Sequence, residues 1–180
     1  MKELSLHILD LVQNSLRAEA KCIQISILYD LPGDFLEIAI KDDGSGMAPE
    51  FLAKVTDPFV TTRTTRKMGM GIPLLKMAAE QTGGTFNIDS TLGQGTELKA
   101  TFVRSHIDTP PLGDMAETIV TLVQGAPDVE FIYSYEKDLQ KFKFDTREIR
   151  EILEDVPLNE PDVLSYIKSN IRESEVLTES

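Results

Sequence analysis

The chain has 180 residues and a mass of 20.1 kDa, enough for one compact domain with a modest appendage and short of two full-sized domains. Hydrophobic residues make up 41% and charged ones 27%, an ordinary globular balance, and no uncharged apolar run approaches the roughly 18 residues a membrane-spanning helix needs. A formal net charge of −12 argues against a general affinity for nucleic acid or for an anionic membrane.

Cys22 is the lone cysteine, so it cannot form an internal disulfide, and one thiol with two histidines cannot build a structural zinc site. No basic-then-apolar leader opens the chain, and the expectation is a soluble, cytoplasmic protein. Charge is unevenly spread: residues 1–104 carry a net −2 and residues 105–180 a net −10. The change falls at a stretch with paired prolines, 105–112, that reads as a linker.

From Glu3 to about Ala20, the residues Leu4, Ile8, Leu11 and Leu16 fit helical spacing. His7, Asp10, Asn14 and Arg17 form one polar stripe on that helix. Such a stripe ordinarily faces solvent, but Asn14 has poor mid-helix propensity and solvation alone does not call for it. Cys22–Tyr29 and Phe35–Lys41 alternate in hydropathy around the turn Asp30-Leu31-Pro32-Gly33-Asp34 and predict a β-hairpin. The second strand runs into Asp42-Asp43-Gly44-Ser45-Gly46-Met47, where the glycines allow a tight turn and a close approach of backbone to a ligand.

Residues 57–68 show no clear period, carry Arg63, Arg66 and Lys67, and read as a lid-like loop that ends in Gly69-Met70-Gly71. A helix follows over 72–81, with Pro73 in its first turn. A glycine-flanked helix start preceded by cations suits a polyanion. Two further strands, 85–90 and 96–104, flank the turn Leu92-Gly93-Gln94-Gly95. The sum is an α/β sandwich, a mixed sheet with helices on one face.

Together these elements resemble the ATP-binding domain shared by DNA gyrase, the 90-kilodalton heat-shock chaperone, sensor histidine kinases and mismatch-repair ATPases. Asp10 to Leu16 looks like that family's N box, and Asp42-Asp43-Gly44-Ser45-Gly46 like its first glycine box. Gly69-Met70-Gly71-Ile72 looks like the second, and Gly93-Gln94-Gly95-Thr96 like the third. The resemblance covers roughly residues 1–104 and is nearest to the histidine-kinase branch.

The resemblance implies ATP and Mg²⁺ as cofactors, with Asn14 ligating the metal through its amide oxygen and Arg17 meeting phosphate. It implies that Asp42 accepts a hydrogen bond from the adenine amino group, with Thr96 supporting that contact directly or through water. Gly44, Gly46, Gly69 and Gly71 would bring backbone to the nucleotide, with Met47, Met70 and Ile72 beside them. The loop cations Arg63, Arg66 and Lys67 are further candidates for phosphate, or simply a solvated basic loop. Asp10 stands where the hydrolysing branches carry a glutamate. It is either a short-reaching general base or a structural aspartate paired with Arg17 or His7. His7 belongs to no phosphoacceptor motif and reads as a helix-surface or pocket-rim residue.

Residues 113–180 read as a small acidic α+β extension for docking or oligomerisation. Its expected elements are a helix over 113–124, strands over 129–135 and 142–144, a helix after Asp145 and a last one reaching about Arg172. The linker with this extension is also similar to stand-alone kinase-like ATPases that accompany iron-hydrogenase genes in anaerobic bacteria. The function expected is a nucleotide-dependent regulatory ATPase, or a protein kinase acting on a partner chain. The alternatives are an anti-sigma-like serine kinase and an ATP-driven dimerising clamp. The partners expected are an adenine nucleotide and a protein with a basic face, with a homodimer as a further option and neither nucleic acid nor membrane.

Overall fold

The computed structural model describes residues 2–57 and 70–179, the side chains of 176–179 excepted. Helix α1 (Leu4–Arg17) buries Leu4, Ile8, Leu11 and Val12 on one face. Strands β1 (Cys22–Asp30) and β2 (Phe35–Asp42) form the expected hairpin, with Ile25 opposite Ile40 and Ile27 opposite Ile38. β2 runs one residue further than the alternation suggests, so Asp42 closes a strand instead of opening a loop. A single turn, α2 (Pro49–Leu52), follows with Pro49 at its start. Next come α3 (Gly71–Gln81), β3 (Phe86–Thr91) and β4 (Gly95–Val103).

The acidic half supplies α4 (Met115–Gly125), β5 (Glu130–Lys137), β6 (Gln140–Asp145), α5 (Thr146–Leu153) and α6 (Pro161–Glu179). Asp114 and Asp145 cap α4 and α5, each accepting a bond from a backbone N–H at 3.0 Å. α6 continues past Arg172, where its Glu175 accepts a 2.9 Å hydrogen bond from the hydroxyl of buried Tyr133. β5 does not simply alternate: Phe131, Ile132 and Tyr133 are all buried. Both its faces are covered there, and α5 packs against it.

One six-stranded sheet runs through both halves in the order β3-β4-β2-β1-β5-β6. The four strands of residues 1–104 pair antiparallel, and the sheet is mixed because β5 lies parallel to β1. α1 packs between α3 and α4, and α4 packs on α6. The stretch expected as a linker is docked: the carbonyls of Pro111 and Leu112 accept bonds from the N–H groups of Leu4 and Ser5 at 2.9 and 2.8 Å. They thereby satisfy donors that the start of α1 leaves unpaired. Met115, Ile119, Phe131 and Ile167 share one apolar core with Leu4 and Ile8. Each such side chain contributes about 1.5–3 kcal/mol by leaving water. Among the described residues no helix is long and apolar enough to cross a membrane.

Candidate functional site

A cavity of about 370 Å³ opens between α1, the ends of β2 and β4, and the start of α3. This is within the usual range for a small-molecule site. Leu11, Ile40, Met47, Phe51, Ile72 and Leu98 form its apolar walls. The polar groups on it are few: Asn14, Ser15 and Arg17 from α1, Asp42 from β2 and Thr96 from β4. Residues distant in sequence, singled out for the nucleotide, thus converge on one cavity.

Asp42 is the best-held of them. Its Oδ2 accepts the Ser15 hydroxyl at 2.7 Å and its Oδ1 accepts the Gly44 N–H at 2.9 Å. These bonds fix the carboxylate plane and leave lone pairs over for a further donor. Ser15, buried on α1, is a site residue the sequence reading passed over. It follows Asn14 directly, yet its partner lies across the fold on β2, which no helical spacing reveals. Thr96 stands opposite Asp42 in the β2–β4 register, but its hydroxyl hydrogen-bonds Ser90 at 2.8 Å. Ser90 also accepts the Met47 N–H at 2.8 Å and so ties the loop after Asp42 to the β3–β4 hairpin.

The glycines of that loop answer first to the protein's own backbone. A Cβ on Gly44 would come within 2.9 Å of the Ala18 carbonyl oxygen. Gly46 has φ +71°, and a Cβ there would lie 2.2 Å from the Thr91 carbonyl oxygen. A Cβ on Gly95, at φ +128°, would lie 2.0 Å from the Asp42 carbonyl oxygen. A Cβ on Gly71 would meet nothing nearer than ordinary contact, Leu11 at 3.5 Å and the Asp10 Cβ at 3.6 Å. Met70, half-buried, precedes the first turn of α3. Arg63, Arg66, Lys67 and Gly69 lie outside the described residues.

The polar stripe of α1 divides into buried and exposed members. Asn14 is 9% exposed; its Oδ1 accepts Nη1 of exposed Arg17 at 3.1 Å, and its Nδ2 is buried without a partner. Asp10 is exposed, off the wall of the cavity, and paired with Lys2, a different partner from the Arg17 or His7 of its structural alternative. Of the two places expected for His7, the open helix surface is not the one it takes: it is 6% exposed, with Nδ1 unpartnered, and lines a second cavity with Lys2, Gln81 and Asp108. Burial first, then the Lys2 ammonium, push its pKa below the ordinary 6.5, against the pull of Asp10. Among the described residues no group of three or more His, Cys, Asp or Glu could hold a metal ion.

Residues 2–106 match the family described as histidine kinase-, DNA gyrase B-, and HSP90-like ATPase. The "Probable C4-dicarboxylate sensor kinase" of Bacillus subtilis is 34% identical over 88 residues, 49% of this chain and 16% of that protein. "Sensor kinase CckA" of Brucella abortus is 36% identical over 72 residues, 39% of this chain and 8% of that one. "Sensor protein SrrB" of Staphylococcus aureus is 37% identical over 84 residues, 38% of this chain and 14% of that one. The chain therefore spans a small part of the length of these relatives. A crystal structure described as the N-terminal domain of a DNA repair protein superposes with a TM-score of 0.54 at 14% identity, covering 81% of this chain and 52% of that one. At that identity the likeness is one of fold.

Proposed function

The chain belongs to the histidine kinase-, DNA gyrase B- and HSP90-like ATPase family, and from that premise we propose that it binds Mg-ATP and acts as a nucleotide-dependent regulatory ATPase or protein kinase on a partner protein. The observation that carries this reading is the anchored carboxylate of Asp42 on a mostly apolar cavity wall. A carboxylate held this way, with lone pairs to spare, suits the amino group of adenine. It would repel the carbonyl that guanine presents at the same place. The apolar walls suit a flat base, and the start of α3, where Ile72 lines the cavity, suits phosphate.

The residues fit a divalent cation as well. Asn14 offers one neutral hard oxygen from an almost buried side chain, and Mg²⁺ is commonly held by few protein ligands together with phosphate oxygens and water. When bound, the ion would neutralise phosphate charge. Asn14 is the residue that would hold it, and Arg17 would share with it in neutralising phosphate charge. Asp10 is the candidate general base. Its side chain neighbours Gly71 at the start of α3 but is turned to Lys2, so slow turnover by the isolated chain is expected. The net −10 of residues 105–180 favours a partner with a basic face, through steering more than through affinity.

Titration calorimetry tests the reading. ATP and ADP should bind in the presence of Mg²⁺, and GTP much more weakly. Asp42→Asn should cost about 1–3 kcal/mol of ATP binding, as expected for a mismatched hydrogen bond at a largely apolar site. Equal affinities for ATP and GTP in the native chain would rule out Asp42 as the base-reading group.

A further inference from the structure

The two amide atoms of Asn14 are in opposite circumstances. Oδ1 accepts a hydrogen bond from the Arg17 guanidinium at 3.1 Å, while Nδ2 is buried with no partner. The two residues are three apart on α1, share a helical face, and both line the cavity. A guanidinium is a permanent cation presenting a flat fork of donors. It offers the amide oxygen what a divalent cation offers, positive charge at bonding distance.

Building on the Mg-ATP reading, we propose that Arg17 is a tethered stand-in for the metal: the guanidinium and the divalent cation are alternative occupants of Asn14 Oδ1. Two cations cannot sit on one oxygen at a half-buried wall without strong mutual repulsion. A metal ion arriving at Asn14 therefore displaces Arg17, whose side chain is exposed. Nucleotide arriving without metal still meets a cation beside Asn14, because the guanidinium stays. Metal binding then puts a +2 ion where a +1 guanidinium already stood, so its net contribution to nucleotide affinity is smaller than at an oxygen with no resident cation. Arg17 also orients the amide. Turned over, Asn14 would aim its Nδ2 donors at the guanidinium and away from any metal-binding role.

The test is the ratio of ADP dissociation constants in EDTA and in excess Mg²⁺, read by titration calorimetry. In the native chain this ratio is expected to be only a few-fold. Arg17→Met keeps the apolar stem and removes the charge, and should raise the ratio about tenfold by weakening metal-free binding. Arg17→Lys, which retains a cation, should stay near the native ratio. In an Asn14→Ala background the Arg17→Met substitution should leave the ratio unchanged, because the shared oxygen is gone. Circular dichroism checks that each variant is folded, and Arg17 is exposed enough for its replacement to be tolerated. An unchanged ratio in Arg17→Met overturns the stand-in. An equal increase with and without Asn14 overturns the shared oxygen and leaves Arg17 an ordinary phosphate cation. A native chain that binds ADP in neither buffer overturns the nucleotide reading beneath it.

Discussion

Asp10 and His7, one turn apart on α1, are set to opposite uses by their surroundings. Asp10 is wet and paired with Lys2, so its carboxylate is available only if that pair opens. Asp10→Asn should abolish the slow release of phosphate from ATP while sparing ATP binding, measured by steady-state phosphate detection and calorimetry in parallel. Brisk release undiminished by the substitution would place the base elsewhere. His7 is dry and neutral, its pKa held below 6.5 chiefly by burial. Protons then bind the unfolded chain more readily than the folded one, so stability falls as pH drops from about 6.5 through the lower folded pKa. Urea unfolding midpoints between about pH 7 and pH 5 should fall less steeply in His7→Gln than in the native chain. The sequence legibly marks Asp42, Asn14 and Arg17 because their residue types are odd for their places: a strand-end aspartate before glycines, an asparagine inside a helix. It does not mark Ser15 or the burial of His7. Both depend on what packs against α1 from elsewhere in the chain, and a 3.6-residue period says nothing about that.

Among the elements, the loop from Asp43 to Ala48 owes its path to the β3–β4 hairpin more than to itself. Gly93 donates its N–H to the Ser45 carbonyl at 2.7 Å, and Gly46 runs against Thr91. Gly46→Ala must adopt a positive φ and move the Thr91 carbonyl, at a cost of at least about 1–2 kcal/mol for the dihedral alone. The expected result is a lower thermal midpoint together with weaker ADP binding, because Asp42 before that loop and Met47 within it both line the cavity. A normal midpoint with weakened binding would instead point to direct contact between Gly46 and ligand. The glycine spacing was readable as a tight turn, but its reason is only half legible. A glycine that spares a ligand and one that spares a neighbouring hairpin look alike in sequence. Strand ends were off by a residue or two for a similar cause, since pairing partners extend β2 to Asp42 and β6 to Gln140–Asp145 beyond their own alternation.

For the molecule as a whole, the change in charge near residue 105 suggests a boundary, yet packing runs straight across it. Alternating strands are legible one by one, but which strand lies beside which is not. β5 carries no mark of its place next to β1. A chain ending at Arg104 keeps every nucleotide motif. It loses β5 from the edge of β1, the Pro111 and Leu112 carbonyls from the start of α1, and Met115 and Ile119 from the core. Such a chain should melt without a cooperative transition by circular dichroism and bind no ADP. A sharp melt with native ADP affinity would show that residues 1–104 fold alone.

The parallel pairing of β1 with β5 also has a consequence in time. Ile23 must wait for Phe131 to be synthesised before its strand is flanked on both sides. Until then the growing chain offers a hydrophobic strand with a bare hydrogen-bonding edge, open to pairing with any other extended segment nearby. Such long-range closure is slow compared with forming the β1–β2 hairpin. The sheet behind the cavity is therefore completed late, by a strand that does not line it. Holdase chaperones should engage the nascent chain during that interval, and lower expression temperature should improve its yield.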